Sequence, residues 1–471
     1  MIKRRWSKER RACLTRQAFP RVVEPVAYLT SPPSTDRMPS GVPYIISNEF
    51  AERFSFYGMR AVLYAFMTTA LVTHEGAPDL MSEAKASEWV HLFITAVYFT
   101  PLIGALLADL WLGKYRTILL LSVIYCAGHL VLALDHTRTG LMWGLGLIAL
   151  GAGGIKPCVS AHVGDQFGAR NAHLLPRVFN WFYFSINIGA TISMLLTPWL
   201  LEAVGPHWAF GVPGILMALA TVVFWLGRNE FAHIPAEPGR FVRELVQPAF
   251  RKSLGGLLVL YVLIAAFWSV FDQTASRWVA QAEKMDRMLW GWEVLPSQMQ
   301  SLNSILVLVL IPLFTLVIYP QAGKVVQLTA MRRIGAGLVV TMGAVAVSWW
   351  IERELAAGVV LHIGWQGLAY LLMTTAEILI SITALEFSYT QAPPRLKSFI
   401  MSLYLLSVAL GNYFTAWVNG WIEKQGAASG LEGPAYYLFF LKVIAGTTLI
   451  YLIVSRFYQE KRHLQDDAPQ T

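Results

Sequence analysis

Glu49, Glu52 and Arg53 stand inside one long apolar stretch, and Tyr57 follows a turn later. Spacings of three and four put them on one face of a helix. Two carboxylates beside one guanidinium leave a negative charge over, which a proton or another cation must neutralise. That is the chemistry of proton uptake and release. Other ionisable residues interrupt apolar stretches further along: His91, Lys156 within Gly153-Gly154-Ile155-Lys156-Pro157, Asp272 and Glu377. At the centre of a membrane-inserted helix such a residue costs roughly 2.5–3.5 kcal/mol, so each needs a partner or a wet cavity. A single charge of this kind can be a structural ion pair or lie near a helix end, and His91, close to the start of its stretch, fits either description. Three charges on one helix face fit neither.

The elements that must position these residues follow from composition. The chain has 471 residues, of which 55% are hydrophobic and 14% charged. Soluble domains carry about 25% charged residues. Apolar runs of about 20 residues, enough to cross a bilayer, recur throughout. We place helices at 43–73, 86–110, 115–135, 140–163, 175–202 and 208–227, and again at 254–282, 296–319, 329–351, 358–384, 396–422 and 434–456. Seventeen Trp and eighteen Tyr suit two membrane interfaces. The net charge of +8 is spread between apolar runs, which argues against a nucleic-acid partner. Cys13, Cys126 and Cys158 are too scattered for a disulfide framework or a zinc site.

The expected organisation is a basic cytoplasmic tail over 1–40, a six-helix bundle over 41–228, a cytoplasmic linker over 229–253, a second six-helix bundle over 254–458, and a cytoplasmic tail over 459–471. The tail opens with Lys3, Arg4, Arg5, Lys8, Arg10 and Arg11, which favours disorder or attraction to anionic lipid. Lys114, Arg116, Arg170, Arg177, Arg240, Arg243, Arg332, Arg333, Arg395 and Arg456 fall on one side, and Glu75, Asp79, Glu83, Glu202, Glu352 and Glu432 on the other. By the positive-inside rule both termini are cytoplasmic. The result is an all-α membrane protein of twelve transmembrane helices in two bundles, which suggests the major facilitator fold, with its binding site at the midplane between the halves. Lys156 in one half and Asp272 in the other are expected to pair as an outer latch. Asp109, at a cytoplasmic helix end, is expected to pair with basic residues and steady the turn between helices 2 and 3. Gly151, Gly153 and Gly154 read as close-packing positions, since no strand precedes them as a phosphate loop would require.

At these residues the chain resembles the proton-dependent oligopeptide transporter family. The resemblance rests on Glu49-Phe50-Ala51-Glu52-Arg53-Phe54-Ser55-Phe56-Tyr57-Gly58, on Phe179 to Gly189, on Gly153 to Phe167, on Phe267 to Trp278, and on Leu385-Glu386-Phe387-Ser388-Tyr389-Thr390-Gln391-Ala392-Pro393. It runs from about residue 40 to about 415 and is closer to the animal members, without their large extracellular domain. It implies that Glu49, Glu52 and Arg53, with Lys156, His91 and Asp272, couple protons to transport. It further implies that Arg53 and Lys156 meet a peptide carboxylate, that Asn187, Asn303 and Glu377 receive the amino end, and that Tyr57, Tyr98, Tyr183 and Trp268 line the pocket. The sequence departs from the family at Phe56, where many members have Tyr, and at Tyr404, which replaces a pocket Trp. Gly256 and Thr315 stand where the animal proteins carry an inner-gate ion pair.

The expected function is a proton-coupled symporter that imports di- and tripeptides by alternating access across the cell membrane. The expected functional unit is a monomer in contact with lipid, with protons as coupling ion and no other cofactor. The alternatives are the same fold carrying nitrate, an amino acid or another small anion, and a non-transporting nutrient receptor. A receptor would be expected to lose the helix 1 acids, which this chain keeps. An enzyme would require a metal-ligand pair or a nucleophile elbow, and the sequence has neither.

Overall fold

A computed structural model describes residues 28–236, 248–391 and 397–457. Among them, eleven helices are long and apolar enough to cross a membrane. The twelfth, α1 (Val42–Thr69), is 28 residues long and carries Glu49, Glu52, Arg53 and Arg60. It is packed among the others, so the charge that disqualifies it by composition is held inside the protein. The first half continues with α2 (Glu83–Leu107), α3 (Lys114–Leu134), α4 (Arg138–Gly164), α5 (Leu175–Ala203) and α6 (Pro206–Leu226). In the second half, α7 runs over Pro248–Phe271, tightens into a 3-10 turn at Asp272–Ala275 and resumes at Arg277–Glu283. Then come α8 (Ser301–Leu313), α9 (Ala330–Ala356), α10 (Gly364–Glu377), α11 (Lys397–Gln425) and α12 (Pro434–Phe457). The basic positions Arg240, Arg243 and Arg395, and most of the two expected tails and of the linker, lie outside the described residues.

Two apolar cores result. One is drawn mainly from α1–α6 and the other from α7–α12. The halves meet where α2 packs on α11 and α5 on α8. Inside the first half, α2 and α4 cross at glycines. A methyl group on Gly153 would overlap Thr100 Oγ1, and one on Gly104 would overlap the Gly154 carbonyl. These glycines serve close packing, as expected, and the tight crossing brings Lys156 of α4 beside Tyr98 of α2.

Several features differ from the expectation. Residues 28–40 form a strap across the face where α1 begins and α12 ends, here called the termini face. The Leu29 carbonyl accepts from His233 N, Tyr28 stacks on the His233 ring at 4.3 Å, and Arg170 binds Asp36 at 2.9 Å. A hairpin pairs Met288–Leu289 (β1) with Trp292–Glu293 (β2) on the opposite face, and Trp290 at its tip has φ +50. Lys114 forms its ion pair with Asp165 at 2.6 Å and attracts Asp109 at longer range, so Asp109 shares this lysine without a direct ion pair among the described residues. On the hairpin's face Arg138 grips Asp79 through two bonds of 2.6 and 2.8 Å and holds that carboxyl below the usual range. Single-residue insertions make π-turns at Ala108–Leu112, Phe314–Ile318 and Ile378–Ile382. Such turns commonly mark functional positions. Here they fall at Asp109, at Thr315 and directly after Glu377.

Candidate functional site

α1 carries the centre of the site. Its polar face holds Glu49, Glu52, Arg53, Tyr57 and Arg60 in order from the termini face outward, because residues three, four and seven apart share a side. Arg53 Nε donates to Glu49 Oε1 at 2.6 Å and lies 3.2 Å from Glu52 Oε2. The second contact is an ion pair without hydrogen-bond geometry, and neither oxygen of Glu52 has a hydrogen-bond partner. Glu52 is only 1% exposed. The guanidinium therefore satisfies Glu49, and Glu52 is the surplus carboxylate. Sequence alone left the two equivalent.

Lys156 reaches this cluster from α4. Among the described residues no carboxylate lies within ion-pair distance of it. Its ammonium stands 4.0 Å over the Phe56 ring centroid and 4.6 Å over that of Tyr98. Phe56 thus offers the Lys156 ammonium a ring face.

The expected pair between Lys156 and Asp272 does not form. Asp272 Oδ1 accepts from Arg60 Nη2 at 2.5 Å, with both side chains buried. Arg60 is two turns beyond Arg53, level with the 3-10 turn that Asp272 opens, whereas Lys156 is level with Phe56. Asp272 Oδ2 accepts from Asn412 Nδ2 at 2.7 Å, Asn412 Oδ1 is 2.7 Å from His91 Nδ1, and His91 Nε2 is 3.0 Å from Ser276 Oγ. The chain Arg60–Asp272–Asn412–His91–Ser276 crosses between the halves three times. Around it, Gln300 Nε2 donates to the Ala61 carbonyl at 3.1 Å, Gln298 Nε2 to the Leu195 carbonyl at 2.9 Å, and Ser82 bonds to Glu423. All of these lie on the hairpin's side of the site. Among the described residues, no hydrogen bond or ion pair joins the halves on the termini side.

Breaking this layer gives a direct prediction. Asp272→Asn leaves Arg60 buried without its anion, and removal of one partner of a buried pair costs about 3–5 kcal/mol. The closed layer is expected to open. Cysteine labelling at positions between the halves should rise from the hairpin face and fall from the termini face. An unchanged pattern would show that the pair does not hold the layer shut.

Beneath the layer is a cavity of about 260 Å³. Of the expected site residues, Tyr57, Tyr98, Trp268, Asp272, Asn303 and Glu377 line it. Asn303 Nδ2 donates to Glu377 Oε2 at 2.7 Å and to Thr374 Oγ1 at 3.1 Å, which fixes the carboxylate on the second half's wall. Four expected substrate-binding residues are not in the lining: Arg53, Lys156, Tyr183 and Asn187. Tyr183 is 39% exposed on α5, and the Asn187 amide donates to the Tyr183 carbonyl on its own helix. Lining residues that sequence analysis did not assign include Arg60, Gln300 and Ser381; Tyr404, expected at a pocket Trp position, also lines the cavity, its hydroxyl 3.0 Å from Ser381 Oγ.

The arrangement is a cavity whose lining holds Arg60 and the fixed Glu377 carboxylate, with Lys156 adjoining it over the Tyr98 ring, capped on one side. The model of the POT family matches residues 115–250 and 239–431. Solute carrier family 15 member 2 of Mus musculus is 38% identical over 369 residues, which cover 67% of this chain and 49% of that protein. The chain thus spans about half the length of the animal relatives it matches. The crystal structure of the POT family transporter PepTSo superposes with a TM-score of 0.83 at 36% identity, covering 91% of this chain and 100% of the other. An auto-inhibited POT family peptide transporter superposes with a TM-score of 0.82 at 35% identity, covering 91% and 99%.

Proposed function

This chain belongs to the POT family, and on that premise we propose that it is a proton-coupled symporter that imports di- and tripeptides by alternating access. The observation that carries the reading is the division of charge across the cleft. Lys156 stands without a carboxylate beside Tyr98 on the first half, and Glu377 is fixed by Asn303 on the second. A free peptide is a short zwitterion that answers both. Its carboxylate meets Lys156 and Arg53, its ammonium meets Glu377, and binding draws the halves together. A small inorganic anion would leave Glu377 without a partner, which favours the peptide over that alternative.

Protons are the coupling ion, and Glu52 is placed to carry one because Arg53 is committed to Glu49. With basic loops on the termini face, both termini are cytoplasmic and the membrane is the cell membrane. The hydrogen-bonded layer then closes the outside, and the cleft opens to the cytoplasm. One chain builds the whole cleft, so the functional unit is a monomer. The test is uptake of labelled dialanine into proteoliposomes. Accumulation is expected under an inward proton gradient and only equilibration without it. Equal uptake in both conditions would overturn the coupling, and failure of dialanine to enter at all would overturn the substrate class.

A further inference from the structure

The first half contains a second polar region, outside the cleft. Asn48, Glu52 and Ser55 share one face of α1, and Ser122, Tyr125 and His129 share one face of α3. All six are buried. The rings of Tyr125 and His129 lie 4.9 Å apart, Tyr125 is within electrostatic reach of both Glu52 and Ser55, and His129 packs against Gly214 of α6. Ser55 donates to the Pro213 carbonyl. Among the described residues, both polar atoms of Asn48, both oxygens of Glu52 and Ser122 Oγ lack a hydrogen-bond partner, while Tyr125 Oη has only a weak contact with Ser55 and His129 one with the Phe210 carbonyl. A seam of this kind is costly unless water joins its members. Apolar side chains close its outer end, where Phe66 and Phe210 meet edge to face at 5.0 Å.

We propose that this seam is an internal hydrated pocket that holds water against Glu52 and shares its proton with Tyr125 and His129. The inference rests on Glu52 as the proton carrier. A proton reaching Glu52 from the cleft passes through bound water and the Tyr125 hydroxyl to one ring nitrogen of His129, and returns by the same route. No bond other than O–H and N–H forms or breaks. The charged groups facing Glu52 are Arg53 and Glu49 on α1 and Lys156 on α4. Facing His129 are Tyr125 on α3 and the Phe210 carbonyl on α6. The seam gives the proton a place behind α1, away from the peptide.

Two measurements test this. Hydroxyl-radical labelling by X-ray radiolysis, read by mass spectrometry on the wild-type protein, reports bound water directly. Tyr125 is expected to label several-fold faster than Tyr451, which is equally buried but donates to the Met331 carbonyl at 2.9 Å. Equal rates would overturn the hydrated pocket. Tyr125→Phe and His129→Gln are expected to reduce gradient-driven accumulation about ten-fold or more while counterflow without a gradient changes little. Full accumulation in both variants would overturn the shared proton. Loss of counterflow as well would leave the labelling comparison to decide. Accumulation that survives Glu52→Gln would remove Glu52 as carrier, and this is separable because it does not alter the labelling of Tyr125.

Discussion

Glu52→Gln will abolish gradient-driven accumulation of dipeptide and spare counterflow. A symporter moving one proton per peptide converts each unit of pH difference into about 1.4 kcal/mol, a ten-fold concentration ratio. Without a titrating carrier that ratio falls to one. The structure singles out Glu52 over Glu49, because Arg53 Nε is hydrogen-bonded to Glu49 at 2.6 Å while both oxygens of Glu52 lack such a bond. Glutamine keeps the volume and removes the charge, so the cleft and its access to peptide remain. Glu49→Gln frees Arg53 from its hydrogen-bonded partner and is expected to weaken peptide binding as well. Proteoliposome uptake and counterflow measured side by side separate the two. Full accumulation by Glu52→Gln would remove this residue from the mechanism.

N-acetylated and C-amidated dipeptides will compete at least ten-fold more weakly than the free dipeptide. Each block removes one charged terminus and leaves its receiver unpaired, at a cost of roughly 1–3 kcal/mol or more. The receivers are distinct. Glu377 is held on the second half by Asn303, and Lys156 and Arg53 stand on the first. Glu377→Gln is therefore expected to shrink the penalty for acetylation and leave that for amidation largely intact. Each added residue lengthens a peptide by up to ~3.3–3.6 Å, so competition should decline beyond three residues. Equal competition by free and blocked peptides would dissolve the clamp.

Most of the helices were legible because an apolar run of membrane length has few other uses. The same logic, that a charge in a span needs a reason, marked Glu49, Glu52, Arg53, Asp272 and Glu377. It applies equally to Arg60, which lies two turns beyond the tight cluster and outside its local spacing. Its partner lies 212 residues away, so the pairing is tertiary and leaves no trace in local spacing. That is also why Asp272 was given to Lys156. Gln300, Ser276 and Asn412 are neutral and cost too little in a helix to announce themselves, yet they complete the layer between the halves. The π-turns were illegible for a different reason. One inserted residue shifts the helical period by less than the scatter of apolar positions, though it sets where Glu377 points.

The strap over residues 28–40 has a practical use. Its bonds and stacking contacts named above go to Arg170 of the first half and to His233 of the linker, whose neighbour Ala232 is tied to the first half by Gln166 Oε1 at 2.8 Å. It therefore travels with that half as freight, without tethering one half to the other. A fluorophore on the strap and a second at the end of α12 near Phe457 would ride on opposite bundles, far from peptide and proton alike. Their energy transfer would give a real-time readout of rocking, one that works on a chain carrying any of the substitutions discussed above.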